Sequence, residues 1–344
     1  MNIKEMLFAR YLAWRTRPAL LKRHWRSKKI QPAGSTQTAD RQKVSVAATQ
    51  LEARLFSDVR DYFDEMHRHV SRAAAAGAQL VIFPENNSFQ LLGLIPGIEK
   101  MAPGAGKENT GPTDISVSDL FRFAGPHFNR AAHFTFSTLA KNYQIIIMAG
   151  SMPHTDGSRV VNRALLYGPD GELAGTQDKV HLMPLEHGWG FSPGSEFRVF
   201  ATPLGRLAMP VCMDATYFET FRILANLGAE IVMVPIANAE PYNEWLALRG
   251  IWPRVQESLV FGIKSALVGN LLGFELTGKA GIFAPLPLTP GGDGVLAEAA
   301  SPDKEDFVRA VLDLEALSKL RANHPYLGDE NPELLRKNFP QYRM

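Results

Sequence analysis

The chain has a single cysteine, Cys212, in 344 residues. An intramolecular disulfide is therefore excluded, and nothing in the cysteine usage asks for an oxidising compartment. No apolar run is long enough to span a bilayer, and no clean apolar segment follows the N-terminal charges as a secretory signal requires. The expected location is cytoplasmic. The common catalytic signatures are absent as well: there is no GxSxG elbow, no HExxH, no paired CxxC and no GxGxxG at a strand end. Serine-hydrolase, zinc-protease and dinucleotide readings thus lack support. GAGKENTG at 104–111 misses the P-loop spacing and has no strand leading into it, so it reads as loop.

Acidic residues are scarce at the start. The first 43 residues hold eleven Lys or Arg against Glu5 and Asp40, a net of +9, which leaves −7 for the remainder of a chain whose total is +2. Ile3, Met6, Leu7, Tyr11 and Trp14 recur at helical spacing, which predicts an amphipathic helix to about Arg17, ended or redirected by Pro18. Such an arm has three readings: docking on the acidic body or a second subunit, peripheral contact of residues 1–30 with an anionic membrane, or organelle targeting. Residues 31–42 read as a polar linker. No nucleic-acid partner is expected.

What is present is an α/β pattern with 45% hydrophobic residues, ordinary for a chain that buries a sizeable core. VSVAATQL (44–51) alternates like a strand, Ser57 to Ala76 carries helical periodicity with Ser57 as N-cap, and AQLVIFPE (78–85) is an almost wholly apolar strand. This β-α-β unit predicts a parallel or mixed sheet buried on both faces. Residues 93–126 read as a long excursion, followed by a helix from His127 to Asn142 and a strand at 144–151. The segments 159–168 and 172–180 form a hairpin about a PDG turn. Strands are further expected at 230–237, 265–270, 279–285, 294–299 and 307–314, with one long helix from Tyr242 to Lys264 kinked at Pro253. His67 and His69 read as a solvated helix face.

Three strand ends carry the chemistry. Glu85 closes LVIFPE, Lys179 closes the hairpin's second strand, and Cys212 sits between a strand ending at Val211 and an amphipathic helix from Thr216 to Leu227. Taken alone, a lone cysteine reads as a small hydrophobe at the end of a core strand. With a carboxylate and a lysine at two other strand ends, a nucleophile is the stronger reading. A cysteine attacks carbon only as thiolate, so a base must assist at neutral pH. Glu85 suits that base, and the Lys179 charge with the Met213 backbone N–H suits a tetrahedral oxyanion. A Cys–His pair using His181 or His187 is the chemical alternative.

VIFPE, KVHLMPLE and PVCMD, in this order, resemble the nitrilase superfamily of carbon–nitrogen hydrolases. FSPGSEFRVFATPLGRLAMPVC, NRALLYGPDGELAGTQDKVHL, GAEIVMVPIAN, KAGIFAP and DGVLAEA extend the resemblance over residues 43–320, leaving 1–42 as an N-terminal extension and 321–344 as a tail. The likeness is greatest to an uncharacterised bacterial amidase-like branch. It implies a four-layer α-β-β-α sandwich, and Glu85, Lys179 and Cys212 as base, oxyanion stabiliser and nucleophile, with Glu186 as a second, positioning glutamate. It implies no metal or organic cofactor. The substrate it suggests is a small linear amide or carbamoyl compound, with nitrile hydrolysis or membrane-associated acyl transfer as alternatives. A homodimer or larger homo-oligomer is expected, through Tyr217–Leu227 and Tyr242–Lys264. Asn86, Asn87, Phe89, Trp189, Phe191, Met213, Tyr217, Asn238 and Tyr242 are candidate pocket residues. After Cys212 the chain reads MDATYFE and lacks the arginine and proline of the commoner C-Y-D-x-R-F-P-E pattern.

Overall fold

The computed structural model describes residues 3–28, 30, 42–101, 116–248, 250–324 and 331–338. The arm forms α1 (Ile3–Arg15) and α2 (Pro18–Ser27). The body continues as β1 (Lys43–Glu52), α3 (Val59–Ala75), β2 (Leu80–Ile82), α4 (Val117–Tyr143), β3 (Ile146–Asp156), β4 (Arg159–Tyr167), β5 (Leu173–Asp178) and α5 (Pro184–Gly188). Then follow β6 (Val199–Thr202), β7 (Gly205–Ala208), α6 (Phe218–Asn226), β8 (Ile231–Ile236), α7 (Glu244–Ala247), α8 (Ile251–Ser258), β9 (Phe261–Leu271), β10 (Phe274–Leu276), β11 (Gly281–Phe283), β12 (Val295–Glu298) and β13 (Asp306–Asp313). α9 (Leu314–Asn323) runs past residue 320, and α10 (Pro332–Asn338) lies beyond it.

The strands divide into two halves. One runs β5-β4-β3-β2-β1 with β13 on the free edge of β1, and the other runs β6-β7-β8-β9 with β11 and β12 beyond it. Gln50–Glu52 of β1 pair in parallel with Ala266–Val268 of β9, which joins the halves by strand hydrogen bonds. Side chains alternate faces along each strand, so the two faces can be told apart by what they bury. Val44, Val46, Leu80, Ile82, Ile146 and Met148 of one half share a cluster with Leu207, Ile231, Met233, Phe261 and Ile263 of the other. The intervening positions Ala47, Val81 and Ile147 pack under α3 and α4, whereas Val232, Val234 and Ala266 pack under α6 and α8. Three apolar layers between helix, sheet, sheet and helix make the four-layer α-β-β-α sandwich.

The arm docks on this body. Leu12 and Leu21 are fully buried against the layer under α3 and α4, and each such burial stabilises the docked arm by about 2 kcal/mol. His24 Nε2 and Lys28 Nζ reach Asp64 at 2.8 and 2.7 Å. Leu7 and Trp14 remain exposed on the outer side. No helix among the described residues is long and apolar enough to cross a membrane.

Four local expectations are corrected. The segment Tyr242–Lys264 is not one helix: α7 and α8 are short, Leu259 turns the chain at φ 46°, and Phe261 begins β9. The run VFGIK has the alternation of a strand, and it pairs with β8 in parallel register, Val234 opposite Lys264. The excursion at 93–126 holds a 3-10 turn at Ile98–Met101, and α4 starts at Val117, nine residues before Pro126, because the Ser116 side chain caps Asp119 N and Phe121, Ala124 and Phe128 bury one face. Asp58, not Ser57, caps α3 through Arg60 N at 2.9 Å. His69 is fully buried rather than solvated, and His67 is half-buried against Tyr143. GAGKENTG (104–111) and nearly all of the linker at 31–42 lie outside the described residues.

Candidate active site

β1, β2, β7, β8 and β9 run parallel, so their carboxyl ends open on one side of the molecule. Glu85 follows β2, Cys212 follows β7, and Asn238 follows β8. β5, antiparallel to β4, which is itself antiparallel to β3, delivers Lys179 to the same side. Glu186 stands at the third position of α5, where its Oε2 accepts Met183 N at 2.9 Å.

Lys179, Glu85 and Glu186 are 1%, 2% and 4% exposed, so their charges must satisfy one another. Lys179 Nζ lies 2.8 Å from Glu85 Oε1 and 2.7 Å from Glu186 Oε2. Asn162 Nδ2 donates to Glu85 Oε1 at 2.9 Å and to Glu186 Oε1 at 3.0 Å, tying the two carboxylates together. Ala237 N donates to Glu85 Oε2 at 3.0 Å. Gly150 makes room for this corner: at φ 74°, any Cβ there would sit 1.9 Å from the Pro84 carbonyl oxygen.

Burial pushes the Glu85 carboxyl above the usual carboxylate range, against the pull of the Lys179 charge. Burial also raises the Cys212 thiol, and the neighbouring Glu85 charge adds to it. For Lys179 burial acts downward, but Glu85, the thiolate of Cys212 and Glu186 outweigh it and hold the ammonium above its ordinary value. Thiol and carboxyl are thus both drawn toward their protonated forms beside a cation. A carboxyl held high in this way suits a group that takes up a proton and gives it back.

Cys212 adopts φ 47°, in the left-handed region, at the start of a 3-10 turn spanning Cys212–Thr216. Such a conformation persists only when the surroundings impose it. Asp214 does so: its carboxylate accepts Val211 N at 2.9 Å, Val180 N at 3.1 Å and His181 N at 2.7 Å, which pins the Cys212 turn to the segment after Lys179. The thiol donates to Asn238 Oδ1 at 3.4 Å. His181 Nδ1 is engaged by Asp214 at 2.9 Å and its ring stacks on Tyr217, while His187 is exposed, so neither imidazole has a bond to Cys212 among the described residues.

Cys212, Met213, Asn238 and Tyr242 line one open cleft. Asn86, Phe89 and Trp189 line a second, apolar cavity that reaches Ala237. Tyr217 lines neither. Asn87 is fully buried and donates to the Ala149 carbonyl, and Phe191 packs edge-on against Phe121. The residues that can chelate a metal among those described are Glu65 and His69 of α3 with Glu305 just before β13, none of them in this site, and Arg68 already bridges the two carboxylates.

Sequence reasoning missed Asn162 and Asp214. A polar residue in the otherwise apolar strand VVNRALLY, and an acid two residues past the cysteine, were the available signals.

The model of the carbon-nitrogen hydrolase family matches residues 45–321. A probable hydrolase of Bacillus subtilis (strain 168), YhcX, is 28% identical over 286 residues, 81% of this chain. The chain spans about half of that relative, 52% of its length. The omega-amidase NIT2 of Danio rerio is 24% identical over 284 residues, covering 79% of this chain and 90% of that one. Among solved structures, an amidase from Nesterenkonia sp. superposes with a TM-score of 0.62 at 21% identity, over 86% of this chain and 96% of that one.

Proposed function

The chain belongs to the carbon–nitrogen hydrolase family, and from that premise we propose that it hydrolyses a small linear amide or carbamoyl compound through a thioester on Cys212. The observation that carries this reading is the buried Glu85–Lys179–Glu186 cluster beside a cysteine held at positive φ. Glu85 takes the thiol proton as Sγ attacks the carbonyl carbon. The oxyanion that forms is met by Lys179 Nζ and the Met213 N–H, in a site where water competes little. When the tetrahedral species collapses, the carbon–nitrogen bond breaks and Glu85 returns its proton to the leaving amine or ammonia. Glu85 then removes a proton from water, which attacks the thioester and releases the acid, and the thiol is restored.

Relatives named as an omega-amidase and as a nitrilase leave amide and nitrile to be separated by experiment. Assays on matched amide and nitrile pairs test the choice: the reading expects turnover of the amide that Cys212→Ala abolishes, and turnover of the nitrile alone overturns it.

The chain also works as a homodimer or larger homo-oligomer in this reading. Phe218 of α6 and Trp245 of α7 are 58% and 81% exposed. Large apolar side chains left uncovered in this way support a face that meets a second copy.

A further inference from the structure

Lys264 stands apart from the machinery above. It sits in β9 opposite Val234 and Gly281, on the face whose neighbours Ala266 and Val268 belong to the apolar layer under α8. It is 8% exposed, yet among the described residues its ammonium has neither a hydrogen bond nor an ion pair, only the ring of Phe283 at 5.3 Å. A buried cation without an anion is costly, and sequences rarely keep one unless something else neutralises it. Its side chain lines the same cleft as Cys212, together with Lys279, Tyr242 and Thr277. Lys279 is held loosely there, 3.7 Å from Glu298 and 5.6 Å from the Tyr242 ring centre. The cleft therefore has Cys212 and two amines on its lining, with the exposed Glu240 also on it and Glu298 beside Lys279.

We infer that Lys264, with Lys279 at the rim, is the receptor for a carboxylate carried by the substrate at the end remote from the scissile amide. The inference rests on the hydrolase reading for the amide and on Lys264 for the acid group. A substrate carboxylate entering the cleft gives Lys264 the counter-ion that the fold withholds, in a site dry enough for the pair to matter. Uncharged amides of the same length gain nothing from Lys264, so the receptor separates acids from neutral compounds. Burial, aided by the Lys279 charge and opposed by Glu298, pushes the Lys264 amine down to about 8.

Succinate is the probe for binding, measured by calorimetry on the full-length Cys212→Ala protein with and without Lys264→Met. The expected result is binding near neutral pH that weakens at least tenfold without Lys264, and less on Lys279→Met. On the protein with Lys264 intact, affinity should also decline as pH rises past about 8. Equal affinity with and without Lys264, or no succinate binding at all, overturns the receptor. The preference for succinamate over butyramide, as a ratio of kcat/KM, should drop at least tenfold in Lys264→Met. An unchanged ratio with Cys212-dependent turnover removes the receptor and leaves the hydrolase standing. Lys264-dependent succinate binding without any amide turnover does the reverse.

Discussion

Asn162 and Lys179 are joined twice. The Asn162 carbonyl accepts Lys179 N at 2.8 Å, and the Asn162 side chain donates to the same two carboxylates that Lys179 Nζ holds. One residue of β4 thus sets both the height of the lysine and the spacing of the glutamates it neutralises.

Removing that side chain should therefore show in rate and in pH. Asn162→Ala leaves two buried carboxylate oxygens short of a donor, a loss of about 1–3 kcal/mol each. We expect kcat to fall roughly tenfold to a hundredfold. Because the lost bond favours ionised Glu85, the acid limb of the kcat/KM profile should move to higher pH. A slower enzyme with an unmoved limb would mean that Asn162 acts on something other than Glu85.

Gly150 offers a test of how tightly Glu85 is placed. Gly150→Ala introduces a Cβ 1.9 Å from the Pro84 oxygen, whereas Gly157→Ala, also at positive φ, meets nothing within 4 Å. Both carry a strain of about 1–2 kcal/mol. Only Gly150→Ala should cut kcat beyond its effect on melting temperature, measured by thermal denaturation beside steady-state kinetics.

Lys264 makes a stability prediction with a definite sign. Folding lowers its pKa from 10.5 to about 8, so the folded state binds that proton less tightly than the unfolded chain. The resulting cost, about 3 kcal/mol, is present in full below about pH 8 and fades as pH rises toward 10.5. Lys264→Met should melt a few degrees higher than the unsubstituted protein at pH 7, and the two curves should converge by about pH 10.5. A lower melting temperature at pH 7 would show that the amine is satisfied in the fold.

The exposed Trp245 tests the oligomer. Trp245→Asp places a charge on an apolar surface, so sedimentation should report a smaller species than the unsubstituted chain, while far-ultraviolet dichroism stays the same. An unchanged sedimentation coefficient would remove this face from the interface.

That Glu85, Lys179 and Cys212 come together was legible in sequence because each closes an element whose apolar run is unmistakable. LVIFP leads to Glu85, the hairpin to Lys179, and GRLAMPV to Cys212, and three parallel strand ends place such residues together. Asn162 was not legible, since it lies mid-strand and nothing in its own neighbours marks an inward polar group. Asp214 was hidden in the same way: its role is to hold backbone N–H groups of a segment 33 and 34 residues away. The helix expected over Tyr242–Lys264 failed for a different reason. A short apolar run such as LVFGI fits both periods, and only pairing with β8 decides for strand. That misreading also concealed Lys264, whose burial follows from its place in a central strand.

The most direct test is intact-mass measurement of the protein quenched during turnover of an amide, with the adduct mapped to its residue. The account predicts an acyl adduct on Cys212 that Cys212→Ala abolishes, that forms slowly in Glu85→Gln, and that is indifferent to His181→Ala. An adduct that forms at full rate without Glu85, and requires His181, would contradict it.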